Sequence, residues 1–345
     1  MPNSTIAAGY PKAFLEFAVS RGAHRAKLLE RSHLCLDDLK NPEGRIPLTT
    51  YIALMKAGIE LCKEPALSLL FGEAVRLQDI SIVGFLGETL SNVESGPAMM
   101  NRYARLALDP DDGGNADAVE LVREGGDLWL KSTSEVYIDN PLLTESAFAR
   151  NVCGVRTMCA SLPGFANIPF PKAIRFTHKE PGYRAEYDRI FGVPLFFGSD
   201  MNALLLDEGF MTVSLSRANP HLAQLLTARA EELLKDLESS KTIRGEVEKL
   251  LMANLQSGAT TADAIARQLG VSRQTLFRRL KAEGVTFEKV LDELRQRMAL
   301  KYLDDRKLSV NETAYLVGFS DPAAFSHAFK RWTGHSPASI RKRKE

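Results

Sequence analysis

The sequence predicts an α+β N-terminal domain followed by an all-α domain in which two helix-turn-helix units are joined by a long helix. Three observations predict it. Helical and strand periodicities alternate through the first 210 residues, the text from residue 241 onward is wholly helical, and that helical stretch repeats one Ala-x-x-x-Gly turn. A chain of 345 residues exceeds one ordinary domain of about 100 to 200 residues, so we divide it into 1–215, 216–240 and 241–345. With 45% hydrophobic and 25% charged residues, it is not a disordered, collagen-like or disulfide-scaffold chain.

From residue 11 to about 107 the pattern is one of several short helices. Apolar residues recur at three and four in Tyr51, Leu54, Met55, Ile59 and Leu61-Cys62, and again in Leu67, Leu70 and Phe71. Between 117 and 134 the text alternates through Val119, Leu121, Val122, then Leu128 and Leu130. Gly125-Gly126-Asp127 between them supplies the positive φ of a hairpin turn. Residues 142–161 return to helix, Ala173 to His178 reads as a strand, and Leu195 to Leu206 holds one or two more. After Asn219-Pro220, an amphipathic helix to residue 237 aligns Leu222, Leu225, Leu226, Leu233, Leu234 and Leu237. It has two open uses, capping its own domain or pairing with a second copy. Glu238-Ser239-Ser240-Lys241 reads as a polar linker.

The net charge of +1 hides an uneven distribution. Residues 241–345 hold 20 Lys and Arg against 12 Asp and Glu, a net +8, which leaves −7 for the rest. A basic third on an acidic body suits a module that faces a polyanion, although charge alone also fits a solvated surface. The cysteines, Cys35, Cys62, Cys153 and Cys159, have no Cys-x-x-Cys spacing and read as reduced core thiols. The six histidines show no i, i+4 pair and no HExxH context, so no metal site is expected. No run of about 18 uncharged apolar residues exists, and the N-terminus lacks a basic start followed by an apolar stretch and cleavage site. The expectation is a cytoplasmic protein without a membrane partner.

The first helix-turn-helix reading runs from Thr261 to Leu280. Ala266 is small where a second helix crosses, Gly270 permits the sharp turn, and Ser272 can cap the following helix. Leu276 and Leu280 share the inward face, leaving Arg273, Gln274, Phe277 and Arg278 outward. The second runs from Ser309 to Phe329, where Ser309 and Glu312 form a capping box and Asp321-Pro322 an N-cap followed by proline. Ala314 and Gly318 repeat Ala266 and Gly270 at an offset of 48, whereas Phe325 and Phe329 repeat Leu276 and Leu280 at 49, so the second turn is one residue longer. Phe287, Val290, Leu291, Leu294, Met298 and Tyr302 mark the helix between them. At 1.5 Å per residue its roughly 18 residues span about 27 Å, close to the roughly 34 Å between successive major-groove segments.

This arrangement resembles the DNA-binding domain of AraC/XylS-type transcription regulators. The resemblance covers about residues 241–341 and rests on Gly318-Phe319-Ser320, Phe325, Phe329-Lys330, Gly334, Ser336-Pro337 and Ile340-Arg341. Residues 15–215, with His178, Tyr187, Phe191-Gly192, Pro194 and Asn202, are similar to the arabinose-binding-type N-terminal domain of one branch of that family. The resemblance implies a bacterial, ligand-sensing transcription regulator and activator, not an enzyme and without a cofactor. Its partners would be double-stranded promoter or operator DNA, a small-molecule effector the sequence does not name, and RNA polymerase.

The resemblance puts Gln274 and Arg278 at base-reading positions, and their chemistry agrees. Arg donates twice to guanine O6 and N7, and Gln pairs with adenine N6 and N7. Phe277 has two readings, pressing on a thymine methyl or packing on the linking helix. Arg273, Arg279 and Lys281 suit phosphates, and Ser272 belongs to the same helix start. The second recognition helix is chemically poorer, offering Ala323, Ala324, Ser326 and His327, with His327 at the position of Arg278. Lys330, Arg331 and the tail Arg341-Lys342-Arg343-Lys344 add sequence-independent attraction. In the N-terminal domain, His178 and Tyr187 either line a pocket or are satisfied core groups.

The sequence argues against two rival functions. A DNA-repair alkyltransferase would need a thiolate beside an activating base, as in a Pro-Cys-His-Arg motif. The cysteine contexts here are Val152-Cys153-Gly154 and Met158-Cys159-Ala160. An architectural DNA protein would bind every duplex alike and has no use for a large acidic domain.

Overall fold

The computed structural model describes residues 4–110, 118–160, 162, 165, 168–215, 219–256, 258–304 and 308–342, with the side chains of the last two set aside. It divides into two compact units, Met1–Leu234 and Lys235–Glu345.

The N-terminal unit is α+β. Strand β1 (Thr5–Ala7) is followed by helices α1 (Gly9–Ser20) and α2 (Arg25–Ser32), strand β2 (Arg45–Pro47), and helices α3 (Leu48–Cys62), α4 (Leu67–Ala74), α5 (Ile82–Glu88) and α6 (Gly96–Ala107). Strand β3 (Leu108–Asp109) then closes a small sheet of order β2-β1-β3, with Ile6 opposite both Ile46 and Leu108. The helical periodicity of this region does not show that sheet, because two- and three-residue strands are too short to display an alternating pattern. Phe14 anchors the helices above it, edge-on to Tyr51 at 6.2 Å and to Phe71 at 5.1 Å.

The predicted hairpin is present as β4 (Val119–Glu124) and β5 (Asp127–Ser132), turning on Gly125 and Gly126 at φ +57° and +92°. Then come α7 (Glu135–Ile138), α8 (Pro141–Cys159), β6 (Ala173–Arg175), α9 (Arg184–Phe191), β7 (Leu195–Phe196), β8 (Asn202–Leu206) and α10 (Glu208–Met211). The five-stranded sheet has the order β4-β5-β8-β6-β7, antiparallel except for β6 with β7. The expected strand 173–178 is shorter, ending at Arg175; beyond it the Phe176 N–H still donates to the Phe196 carbonyl at 2.8 Å, and the Thr177 N–H donates to Asn202 Oδ1 at 2.9 Å. Helix α8 is buried from Leu143 through Arg150, and α4 approaches it so closely that a Cβ on Gly72 would lie 2.3 Å from the Ser146 carbonyl oxygen.

Helix α11 (Pro220–Ser240) extends the predicted amphipathic helix through most of the expected linker. Glu231 ties it to α6, taking Arg102 at 2.7 Å and the Tyr103 hydroxyl at 2.7 Å, while Leu222 and Leu225 stand 48% and 56% exposed. The C-terminal unit is all-helical: α12 (Ile243–Asn254), α13 (Ala262–Gln268), α14 (Arg273–Ala282), α15 (Phe287–Asp304), α16 (Val310–Leu316), α17 (Pro322–Thr333) and α18 (Pro337–Lys342). Its core gathers the predicted inward residues Ala266, Leu276, Leu280, Phe287, Val290, Leu294, Ala314, Phe325 and Phe329.

None of the four cysteines is paired. Cys159 is buried and Cys62 and Cys153 are half-buried, but Cys35 is exposed, which corrects its reading as a core thiol. Among the described residues no helix is long and apolar enough to cross a membrane, and no three His, Cys, Asp or Glu residues gather as a metal site.

Candidate functional site

In the C-terminal unit, α13 and α14 form the first helix-turn-helix. Thr261 caps α13 by accepting the Ala264 N–H at 3.3 Å, and Ser272 caps α14 by accepting that of Thr275 at 3.1 Å. Gly270 sits in the left-handed region at φ +66°, and the N–H of Val271 returns to the Ala266 carbonyl at 3.0 Å, closing α13 in the manner of a Schellman turn. Leu276 and Leu280 are wholly buried on the inner face of α14. Gln274, Arg278, Arg279 and Lys281 are exposed, and among the described residues none of their side chains has a hydrogen-bond or ion-pair partner. They form a set of polar donors held on a rigid helix.

The other candidates on α14 are engaged. Phe277 is half-buried, edge-on to Phe287 at the start of α15 with ring centroids 6.4 Å apart, so it packs on the linking helix. Arg273 lies over the Phe277 ring at 5.3 Å and reaches Asp263 at 3.2 Å. Ser272 uses its hydroxyl as the cap and also meets the Thr275 hydroxyl at 2.9 Å.

Helices α16 and α17 repeat the design. The capping box is complete, with Ser309 N–H donating to Glu312 at 2.7 Å and Glu312 N–H to the Ser309 hydroxyl at 3.1 Å. Gly318 has φ +80°, and Phe319 N–H returns to the Ala314 carbonyl at 3.0 Å. The two turns match through Val271 and Phe319; the extra residue is Ser320, placed before the cap Asp321. Asp321 accepts the N–H groups of Ala323 at 3.0 Å and Ala324 at 3.2 Å. Ala323, Ala324, His327 and Lys330 are exposed. Ser326 is half-buried and donates its hydroxyl back to the Pro322 carbonyl at 2.9 Å, and Arg331 is paired with Asp292 of α15 at 2.9 Å. The side chains of the basic tail from Arg341 to Lys344 lie outside the described residues.

The 18-residue α15 fastens both units. Arg295 donates to the carbonyls of Val317 and Gly318, both at 3.1 Å, and its guanidinium lies 4.6 Å from the centre of the Phe319 ring. Gln296 reaches the Trp332 carbonyl at 3.3 Å. Burial holds the Arg295 pKa below the ordinary arginine value. On the other side Glu293 pairs with Arg244 of α12 at 2.5 Å, and Arg297 pairs with Glu248. Sequence periodicity located α15 but not this clamp, since a polar residue aimed at a backbone carbonyl leaves no periodic signal.

The N-terminal unit encloses a cavity of about 400 Å³ bordered by α6, the β4–β5 hairpin, α7 and α8. This is within the common size range of small-molecule sites, about 300 to 1,000 Å³. Its walls are largely apolar, including Leu77, Phe148 and Leu204, with Tyr10, Ser134 and Arg150 among the polar members. Burial pushes the Tyr10 phenol up to about 12, against the opposing charge of Arg150.

His178 and Tyr187 do not line this cavity. They belong to an aromatic cluster with Phe176 and Phe197, where Tyr187 and Tyr183 donate to Glu145 Oε2 at 2.8 and 2.9 Å and His178 Nε2 lies 3.4 Å from the Tyr187 hydroxyl. Burial raises the Glu145 carboxyl to about 7, the two tyrosine donors opposing it, and burial lowers the His178 pKa. Burial likewise raises Cys153 and Cys159, the opposite of nucleophile activation.

Comparison with known proteins finds a match for each domain. The model of the arabinose-binding domain of AraC transcription regulators matches residues 22–215, more than half of the chain, and a helix-turn-helix domain model matches residues 265–343. The ornithine utilization regulator of Pseudomonas aeruginosa is 28% identical over 338 residues, covering 97% of this chain and 96% of that protein. The transcriptional regulator VirS of Mycobacterium tuberculosis is 29% identical over 170 residues, 49% of each chain. Among solved structures, the regulator CdpR of P. aeruginosa is 24% identical and covers 84% of this chain and 90% of that one, at a TM-score of 0.36. The matched families and relatives are transcription regulators, not enzymes. The chain belongs to the AraC family of transcription regulators, with an arabinose-binding-type N-terminal domain and a helix-turn-helix domain.

Proposed function

We propose that this protein is a cytoplasmic, sequence-specific activator whose DNA affinity is set by a small effector held in the N-terminal cavity. The observation that carries the reading is the set Gln274, Arg278, Arg279 and Lys281 on α14, exposed and without side-chain partners among the described residues. Gln274 and Arg278 supply the paired donors and acceptors that distinguish base edges, and Arg279 and Lys281 neutralise phosphates. The second unit places His327 and Lys330 against a neighbouring groove segment, with α15 setting the separation. The exposed Leu222 and Leu225 support pairing with a second copy through α11. Activation through contact with RNA polymerase rests on the family resemblance. The cavity supports effector control, in which effector and DNA change each other's affinity by the same factor.

The test begins by mapping bound sites across the genome and measuring binding to one mapped site and to its scrambled duplex. Arg278→Ala is expected to lose about 1 to 3 kcal/mol on the mapped site and to relax preference at one base pair, whereas Lys330→Ala weakens both duplexes alike. Equal losses on both duplexes for both variants would remove base reading by α14. Equal wild-type affinity for both duplexes would make this an architectural protein instead.

A further inference from the structure

We propose that the cavity of the N-terminal unit takes a small organic carboxylate, with Arg150 as its counter-ion; this deepens the effector reading above and rests on it. Arg150 lies in the middle of α8 and is only 7% exposed, yet among the described residues it has no ion pair. Its one hydrogen bond is a long one, 3.4 Å from Nη1 to the Ser146 hydroxyl; Nε has no partner, and the guanidinium lies 5.1 Å from the centre of the Tyr10 ring. A buried guanidinium without a counter-charge is costly, and its planar fork fits two carboxylate oxygens at once.

The other charged and amide groups of the cavity show the contrast. Arg105 is held by Asp109 at 3.3 Å, and the Asn101 side chain both accepts from and donates to the Val119 backbone at 2.9 and 3.0 Å. Glu135, the one acid in the wall, and the amide Asn151 are exposed. Ser134 lines the same space with a buried hydroxyl that has no partner, a second donor for the ligand. Glu145, five residues before Arg150 on the same helix, is also buried but receives two tyrosine hydroxyls on Oε2. The fold thus gives one oxygen of its buried carboxylate two donors, leaving Oε1 without a partner, and gives its buried cation no counter-charge. The apolar remainder of the wall, Phe148 and Leu204 among it, fits a hydrocarbon body behind the carboxylate.

The experiment uses the full chain and calorimetric titration with hexanoate, benzoate, glutarate and L-norvaline, each beside its amide, and L-arabinose as a neutral probe. At least one carboxylate is expected to bind about tenfold or more tightly than its amide. Arg150→Met is expected to abolish that preference, and Arg150→Lys, which keeps charge but loses the fork, to retain part of it. The comparison of acid with amide on the unaltered protein needs no variant and so survives any folding defect in Arg150→Met. Binding of amides as tightly as acids, persistence of the preference in Arg150→Met, or no binding by any carboxylate would overturn the proposal. A neutral probe that binds and changes affinity for a mapped site would overturn it while leaving effector control standing. A carboxylate that binds through Arg150 without altering DNA affinity would support the site and sink effector control.

Discussion

Helix α14 carries Arg273, Arg278, Arg279 and Lys281 and no acidic residue, whereas α17 opens on the carboxylate of Asp321 and keeps its two cations, Lys330 and Arg331, in its last turn. The turns differ in the same sense. A Cβ on Gly270 would meet open space, but a Cβ on Gly318 would lie 2.5 Å from the Leu255 carbonyl oxygen, and Arg295 grips the carbonyls around it. Two copies of one backbone have therefore been put to different uses. The first leaves Gln274, Arg278, Arg279 and Lys281 exposed beyond an open turn; the second is fastened to α15 through the carbonyls of Val317, Gly318 and Trp332 and through Arg331, and its turn lies against the Leu255 carbonyl. Duplication of a scaffold does not duplicate its chemistry, and the second copy is built as an anchor.

The largest expected effect tests that anchoring. Gly318→Ala must place a side chain at positive φ and against a backbone oxygen, so it should cost about 3 kcal/mol or more; Gly270→Ala meets only the conformational penalty, about 1 to 2 kcal/mol. Chemical denaturation followed through Trp332 in a Trp129→Phe background reads the C-terminal unit alone, because the chain has only these two tryptophans. Equal costs at the two glycines would break the contrast between an open and a fastened turn.

Much of this contrast was legible in the sequence. Small residues at Ala266 and Ala314, caps at Ser272, Ser309 and Asp321, and the one-residue offset in the second turn are local signals, fixed by backbone sterics and hydrogen-bonding rules. What the sequence did not reveal is long-range. The clamp of Arg295 on Gly318 and the pairing of Arg331 with Asp292 join residues 23 and 39 positions apart. The N-terminal cavity assembles side chains from Tyr10 to Leu204, and Arg150, the buried cation in its wall, lies mid-helix in α8, where an arginine reads as ordinary surface. His178 and Tyr187 attracted notice through the resemblance, but Glu145, the group that organises them, had no motif to announce it.

A middle-sized effect concerns base reading. Gln274→Ala should cost about 1 to 3 kcal/mol on a mapped site and flatten preference at a single base pair, because each paired contact discriminates by about that much. His327→Ala, removing the only long polar side chain among the first six residues of α17, should cost under about 1 kcal/mol and leave the preference profile unchanged. Selection of bound duplexes from a randomised pool, followed by sequencing, separates the two outcomes. A profile flattened equally by both variants would make the second unit a reader as well.

The smallest effect sharpens the comparison at the level of single charges. Arg273 and Arg331 are the two interface candidates already engaged by carboxylates, Asp263 and Asp292, in pairs whose partners are 58% and 58%, and 67% and 39%, exposed. Pairs so open to water contribute about 0 to 1 kcal/mol, so Asp263→Asn and Asp292→Asn should scarcely move stability. Each substitution nevertheless frees a guanidinium and removes a negative charge near the phosphates. Affinity for every duplex should rise by less than about tenfold, and the fall of log affinity with log salt should steepen by up to about 0.9, the contribution of one newly neutralised phosphate. If α14 lies closer to DNA than α17, Asp263→Asn gives the larger change on both scales. A larger change from Asp292→Asn would mean that the anchoring unit makes the tighter backbone contact, and the division of labour would then be between phosphate grip in α17 and base reading in α14.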